Sequence, residues 1–269
     1  MDDPAQLDRA EVAEITELVR AAGDRALDWF RRAMPIHNKH TVLGGYDPVT
    51  EADHAVEDQL RAALAERYPD DRILGEERGE TGQGARRWVI DPIDGTRAFV
   101  SGSPMWGTLL ALHEGDHVLA GWMHLPALGD TYVGTVDHCW LEHGGQDREL
   151  RTRDVHDLAD AVLCATTPHM FDGPGELAAF ERVAAAAQLT RFGGDCVNYG
   201  LLALGTVDVV VEASLSSYDI MAAIPMIEGA GGVITDRAGA RAMDGGFVVA
   251  AATHDLHAAV LELVNQETP

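Results

Sequence analysis

The sequence predicts layers of helix alternating with sheet: an α+β first half built on an antiparallel sheet, joined to an α/β second half. Three observations predict it. Helical periodicity fills residues 12–29 and 51–68, five short apolar runs broken by turn residues begin at Trp88, and strand-like and helix-like segments alternate beyond Leu150. The chain has 269 residues, enough for one large domain or two intimately packed halves, divided here at 1–150 and 151–269.

Taking the elements in order, Val12, Ile15, Val19, Ala22, Ala26 and Trp29 recur at helical spacing with Glu and Arg between them, so a first amphipathic helix ends near Arg32. Residues 36–46 contain Gly44-Gly45 and no periodicity, which reads as a loop or a hairpin tip. A second helix covers about 51–68, with Thr50 as N-cap, Asp53 at its third position as in a capping box, and Pro69-Asp70-Asp71 ending it. Strands are expected at 88–90, 108–112, 118–124, 131–135 and 139–142, separated by turns such as Glu114-Gly115-Asp116. The second half reads as strand 161–165, helix 175–187, strand 189–192, helix 196–204 and strand 207–211. A helix at 218–229 kinked at Pro225, strands 233–235 and 247–251, and a helix at 254–264 follow.

Charge narrows the function classes. Asp and Glu number 44 against 20 Lys and Arg, a formal net charge of −24. A field of that sign repels nucleic acid and anionic membranes, which sets both aside as partners. It equally repels a phosphorylated ligand, so a phosphate site here calls for bound cations. Solubility or a saline habitat accounts for most of the acidity by itself. Cys139, Cys164 and Cys196 are widely spaced with no CxxC pattern, which predicts free thiols in a reducing cytoplasm. The opening Met1-Asp2-Asp3-Pro4 lacks the basic and apolar regions of a secretion signal. The most apolar stretch, 199–211, is short and carries Asp208, so no membrane span is expected.

The chemistry concentrates in Asp91-Pro92-Ile93-Asp94-Gly95-Thr96. A buried strand delivers one carboxylate at its end, Pro92 stiffens the turn, and a second carboxylate follows three residues later. Gly95 lets backbone approach a ligand, and Thr96 stands where a helix begins, with N–H groups for an anion. Two hard oxygen ligands beside an anion cradle suit Mg²⁺. Alone, the motif reads equally as an acidic turn with a helix cap. Three further carboxylates change the balance: Glu76 in Gly75-Glu76-Glu77 after the apolar pair Ile73-Leu74, Asp53 in a first helical turn, and Asp219 in Tyr218-Asp219-Ile220 at another helix start.

The set DPVTEAD, GEE, WVIDPIDGTRAF and YDIMAAIPMIEGAGG resembles the inositol monophosphatase family over roughly residues 41–236. The resemblance implies a five-layered αβαβα sandwich, a homodimer, and two or three Mg²⁺ ions acting on a small phosphate ester. It implies Glu76, Asp91, the Ile93 carbonyl, Asp94 and Asp219 as metal ligands, Gly95 and Thr96 as phosphate-binding, and Asp53 paired with the Thr96 hydroxyl to orient the attacking water. A regulatory relative that has lost catalysis would lack one of these groups, and none is missing.

Within that family the segment Arg97 to Gly107, Tyr218, and Gly194-Asp195-Cys196-Val197-Asn198-Tyr199 look more like the histidinol-phosphate phosphatase branch than the inositol branch. Histidinol phosphate carries an ammonium and an imidazole, which Asp195 and Glu212 would favour. Each has a second reading: Asp195 as a helix cap, Glu212 as the end of an exposed strand. Inositol 1-phosphate and broader sugar phosphates, fructose 1,6-bisphosphate among them, are the rival substrates. Other signals carry less. Lys39 is as readily a solvated lysine as a ligand. The pairs His37/His40 and His113/His117 read as solvated turns without zinc partners. Gly229-Ala230-Gly231-Gly232 follows a helix and so is no nucleotide fingerprint, and Trp29, Trp88 and Trp122 read as packing residues.

Overall fold

The computed structural model describes residues 7–33, 35–38 and 48–266. Helix α1 (Arg9–Arg25) is capped by Asp8, whose carboxylate accepts the Glu11 N–H at 2.8 Å, and it runs out in a single 3₁₀ turn at Ala26–Asp28, short of Arg32. Strands β1 (His37–Asn38) and β2 (Pro48–Val49) pair antiparallel, and the residues between them, where a loop or hairpin tip is expected, lie outside the described residues. Lys39, His40, Gly44 and Gly45 lie outside the described residues. Helix α2 (Glu51–Arg67) opens with the expected capping box of Thr50 and Asp53.

Strands β3 (Arg72–Gly75), β4 (Gly79–Thr81) and β5 (Arg86–Asp94) are followed by helix α3 (Thr96–Ser101), then by β6 (Gly107–Glu114), β7 (His117–Leu125), β8 (Asp130–Thr135), β9 (Cys139–His143) and β10 (Gln146–Glu149). They form one sheet in the order β10-β9-β8-β7-β6-β5-β3-β4. The sheet is antiparallel as expected, with one exception: β3 lies parallel to β5 because α2 precedes β3 and the β4 hairpin returns the chain. His113 is a correction: it is buried within β6, its Nδ1 3.0 Å from the Gly115 carbonyl, and is no solvated turn residue.

The second sheet holds β11 (Val162–Ala165), β12 (Leu189–Phe192), β13 (Val209–Leu215), β14 (Val233–Asp236) and β15 (Gly246–Ala251) in the order β12-β11-β13-β15-β14. Helices α4 (Glu176–Ala186), α5 (Val197–Ala203), α6 (Ser217–Ile220), α7 (Ala223–Gly229) and α8 (His254–Val264) connect it. The single helix expected at 218–229 is two. Pro225 has no N–H to bond the Met221 carbonyl one turn back, so the helix stops at Ile220 and restarts with proline in its first turn, where that N–H is not needed.

Three cores separate the layers. Helices α1 and α2 cover one face of the first sheet, burying Ile15, Leu60, Trp88 and Trp122, with the Trp122 Nε1–H donating to Thr16 Oγ1 at 3.0 Å. Helices α5 and α7 fill the space between the sheets around Met123, Tyr132, Leu202, Ile224 and Val210. Helices α4 and α8 close the far face over Phe180, Val249 and Val260. The result is the helix–sheet–helix–sheet–helix sandwich. Each fully buried large apolar side chain contributes about 1.5–3 kcal/mol. No helix among the described residues is long and apolar enough to cross a membrane.

Candidate active site

Parallel pairing of β3 with β5 sets Gly75 opposite Ile90, so Glu76, just past the end of β3, lies beside Asp91 within β5. The Glu76 N–H donates to the Ile90 carbonyl at 3.2 Å. Asp91 and Asp94 are three apart, and in a regular strand their side chains would point to opposite faces. The β5–β6 register slips between them, from Asp91↔Leu109 to Asp94↔Gly107, and this bulge lets both line one cavity. Thr108 pins the bulge by donating its hydroxyl to the Pro92 carbonyl at 2.8 Å.

Asp219 reaches the same place from the second half. Its Oδ2 accepts the Ser216 N–H at 2.6 Å in the first turn of α6, and oxygens of Asp91, Asp94 and Asp219 come within 4.8 Å of one another. Glu76, Ile93, Gly95, Thr96, Asp195 and Glu212 line the cavity with them, in a volume of about 480 Å³. Gly95 has φ +80°, a conformation that favours glycine, and a Cβ there would meet the Met105 carbonyl oxygen at 2.8 Å and Asp195 Cβ at 3.2 Å. It caps α3, whose opening N–H groups have no helical acceptor.

Crowded carboxylates resist ionisation. Burial, then the charges of Glu76, Asp94 and Asp219, hold Asp91 well above the usual carboxylate range. Burial, then Asp195 and Asp219, do the same to Asp94, against the Cys196 N–H that donates to its Oδ2 at 2.7 Å. Burial chiefly pushes Asp219 up to about 7. Asp91 Oδ1 is buried without a hydrogen-bond partner. An all-oxygen, charge-crowded set with an orphaned acceptor fits a hard divalent cation, whose charge would relieve the repulsion.

One expectation and one alternative reading differ from the geometry. Asp53 does not meet Thr96: its Oδ2 accepts the Thr50 hydroxyl at 2.6 Å and the Thr50 N–H at 2.8 Å, while Thr96 donates its hydroxyl to the Ile93 carbonyl at 3.0 Å. The capping box claims Asp53, and the tight turn after Asp94 leaves the Ile93 carbonyl as the nearest acceptor for Thr96. Asp53 Oδ1 is buried and unpartnered, and burial raises its pKa to about 6 with Glu76 adding to the rise. Glu212 is not the end of an exposed strand. It is 2 % exposed inside β13, accepting Thr166 Oγ1 at 2.7 Å, Tyr199 OH at 2.9 Å and Asn198 Nδ2 at 3.4 Å.

Asp195 adopts φ +46° before α5; burial first and Glu212 second push its pKa up to about 7, with Arg97 opposing. Sequence reasoning missed the rim residues Thr166, His169, Asp172 and Ser214. Ser214 has φ +57° at a second bulge, in β13, and donates to Asp172 Oδ1 at 2.9 Å, a geometry no local motif announces.

The model of the inositol monophosphatase family matches residues 8–268. The chain belongs to the inositol monophosphatase family. It is a phosphoric monoester hydrolase, and members of this family act on small phosphate esters with metal ions, generally Mg²⁺. The Arabidopsis thaliana protein named Bifunctional phosphatase IMPL2, chloroplastic, is 34 % identical over 97 % of this chain and 78 % of its own length. A histidinol-phosphatase of Streptomyces coelicolor is 33 % identical over 98 % of this chain and 99 % of its own. An inositol monophosphatase structure from Zymomonas mobilis superposes with a TM-score of 0.83 at 35 % identity, covering 96 % of this chain and 98 % of that one.

Proposed function

We propose that the chain hydrolyses L-histidinol phosphate to L-histidinol and phosphate, a step of histidine biosynthesis. Asp195 carries the reading. Its side chain lies beside Gly95 and lines the acidic cavity, whose negative potential favours a cationic leaving group over a neutral polyol. Glu212 adds negative potential from behind, although its hydrogen bonds to Thr166, Asn198 and Tyr199 make it a support more than a direct contact. The similarity to a histidinol-phosphatase over nearly the whole of both chains supports the same substrate.

Glu76, Asp91, the Ile93 carbonyl, Asp94 and Asp219 would hold two or three Mg²⁺ ions. When bound, these neutralise the phosphate and lower the pKa of a coordinated water. The chain's own groups do the positioning. N–H groups of Gly95 and Thr96 at the start of α3 take phosphate oxygens. The Thr96 hydroxyl closes the turn on Ile93, and the Cys196 N–H fixes the rotamer of Asp94. Glu76 and Asp53, close enough for their charges to repel, would orient the attacking water. A soluble cytoplasmic homodimer belongs to this reading, resting on the family resemblance and the buried free thiols.

Inositol 1-phosphate is the second reading, favoured by the 35 % identity to the Zymomonas mobilis enzyme; a broader sugar-phosphate range stands behind it. Rates on histidinol phosphate, inositol 1-phosphate and fructose 1,6-bisphosphate with Mg²⁺ decide between them. The highest kcat/KM is expected on histidinol phosphate, and a higher value on inositol 1-phosphate would overturn the choice.

A further inference from the structure

Glu57 lies one turn beyond Asp53 on α2 and is 0 % exposed. A buried carboxylate needs donors, and those of Glu57 come from its own helix and from the segment that follows Glu76. Oε2 accepts the Glu77 N–H at 2.7 Å, and Oε1 accepts the Arg78 N–H at 3.1 Å and Arg61 Nε at 2.7 Å. Arg61 in turn donates to the Gly79 carbonyl and to the Thr81 hydroxyl, the latter at 3.1 Å. The Glu57–Arg61 pair therefore grips the whole β3–β4 turn. Gly75 permits the approach, because a Cβ at that position would collide with the Glu57 carboxylate. From the opposite side, the Ile90 carbonyl holds the Glu76 N–H at 3.2 Å.

We infer that Glu57 is a positioning residue: through the N–H groups of Glu77 and Arg78 it fixes the Glu76 carboxylate beside Asp91 and so sets the affinity of the cavity for divalent cations. The inference rests on the reading of Glu76 as a metal ligand. A charged acceptor bonded to two consecutive N–H groups determines where the preceding side chain starts, and groups that orient metal ligands typically alter metal affinity by about 10–100-fold.

The test compares metal-stripped wild type, Glu57→Gln, Glu76→Gln and Val260→Ala, the last in the distant core under α8. Calorimetric Mg²⁺ binding, metal-free melting temperature and the Mg²⁺ dependence of turnover are measured on each. Glu57→Gln keeps the size but gives one N–H a donor to face. It is expected to weaken Mg²⁺ binding about tenfold or more and to raise the half-activating concentration equally, with kcat largely recovered at saturating Mg²⁺. Val260→Ala is expected to lower the melting temperature without moving Mg²⁺ affinity, which separates positioning from plain stability. Should Glu57→Gln fail to fold, Glu57→Asp, which keeps the charge and retracts it, carries the same measurement with the same expected shift. Wild-type Mg²⁺ affinity in the Glu57 variant together with an inactive Glu76→Gln would overturn the inference and leave the metal reading standing. Wild-type binding and turnover in Glu76→Gln would bring down that reading itself.

Discussion

Asp94 accepts the backbone N–H of Cys196 at 2.7 Å across 102 residues of sequence, joining the β5 bulge to the start of α5. The bond needs an acceptor, and the proposed metal site needs a charge, so two substitutions separate the roles. Asp94→Asn keeps an acceptor and is expected to retain the melting temperature while turnover falls by roughly 10²-fold or more. Asp94→Ala loses the acceptor as well, costing a further ~1–3 kcal/mol, or about 2–4 °C of melting temperature per kcal/mol in a chain of this size. Near-wild-type turnover of Asp94→Asn at saturating Mg²⁺ would remove Asp94 from the metal site.

The carboxylate cluster makes the metal-free protein sensitive to pH. Asp219 titrates at about 7 and Asp53 at about 6 in the folded chain, both above the ordinary value of 3.8. A raised carboxyl pKa means that folding favours the protonated form. Its stabilising effect is complete below about pH 4 and is lost as pH rises through about 7. Urea midpoints of metal-stripped protein are therefore expected to fall between pH 5 and pH 8 by more than they do with Mg²⁺ present. A metal-free midpoint that rises over that window counts against a crowded cluster.

Asp195 gives the substrate prediction, and its backbone dictates the variant. At φ +46° asparagine is tolerated far better than alanine, so Asp195→Asn removes the charge without adding strain. It is expected to lower kcat/KM for histidinol phosphate about tenfold more than for inositol 1-phosphate, the equivalent of ~1.4 kcal/mol. Equal losses on both substrates would exclude charge recognition by Asp195.

Gly95→Ala tests the cradle. Positive φ costs a non-glycine residue ~1–2 kcal/mol, and the added Cβ presses on the Met105 carbonyl oxygen at 2.8 Å. A melting temperature lower by several degrees and a raised KM for phosphate ester are expected. An unchanged KM would place the phosphate elsewhere.

Legibility in the sequence followed the physics of each element. The apolar strands β5 to β9 announce themselves because each buries a face, as Trp88, Leu110 and Trp122 show. The edge strands β4 and β10 carry Gly-Glu-Thr and Gln-Asp-Arg-Glu, wholly exposed, so no hydrophobic pattern marks them. The carboxylates that meet in the cavity stood out at strand and helix ends, and the family resemblance implied their gathering, but their hydrogen bonds were not legible. The partners of Asp53, Thr96 and Glu212 depend on which segments arrive beside them, and sequence spacing does not encode that. Glu57 was within reach: it stands four residues after Asp53 on one helix face.

The shared cluster has a consequence for synthesis. A ribosome that has emitted the first 150 residues has delivered Asp91 and Asp94, whereas Asp219, whose oxygens join theirs within 4.8 Å, belongs to chain not yet made. A nascent or clipped polypeptide thus holds an unfinished acidic pit. Under the proposed metal reading, binding of divalent cations requires both halves of the chain, since the second half supplies Asp219.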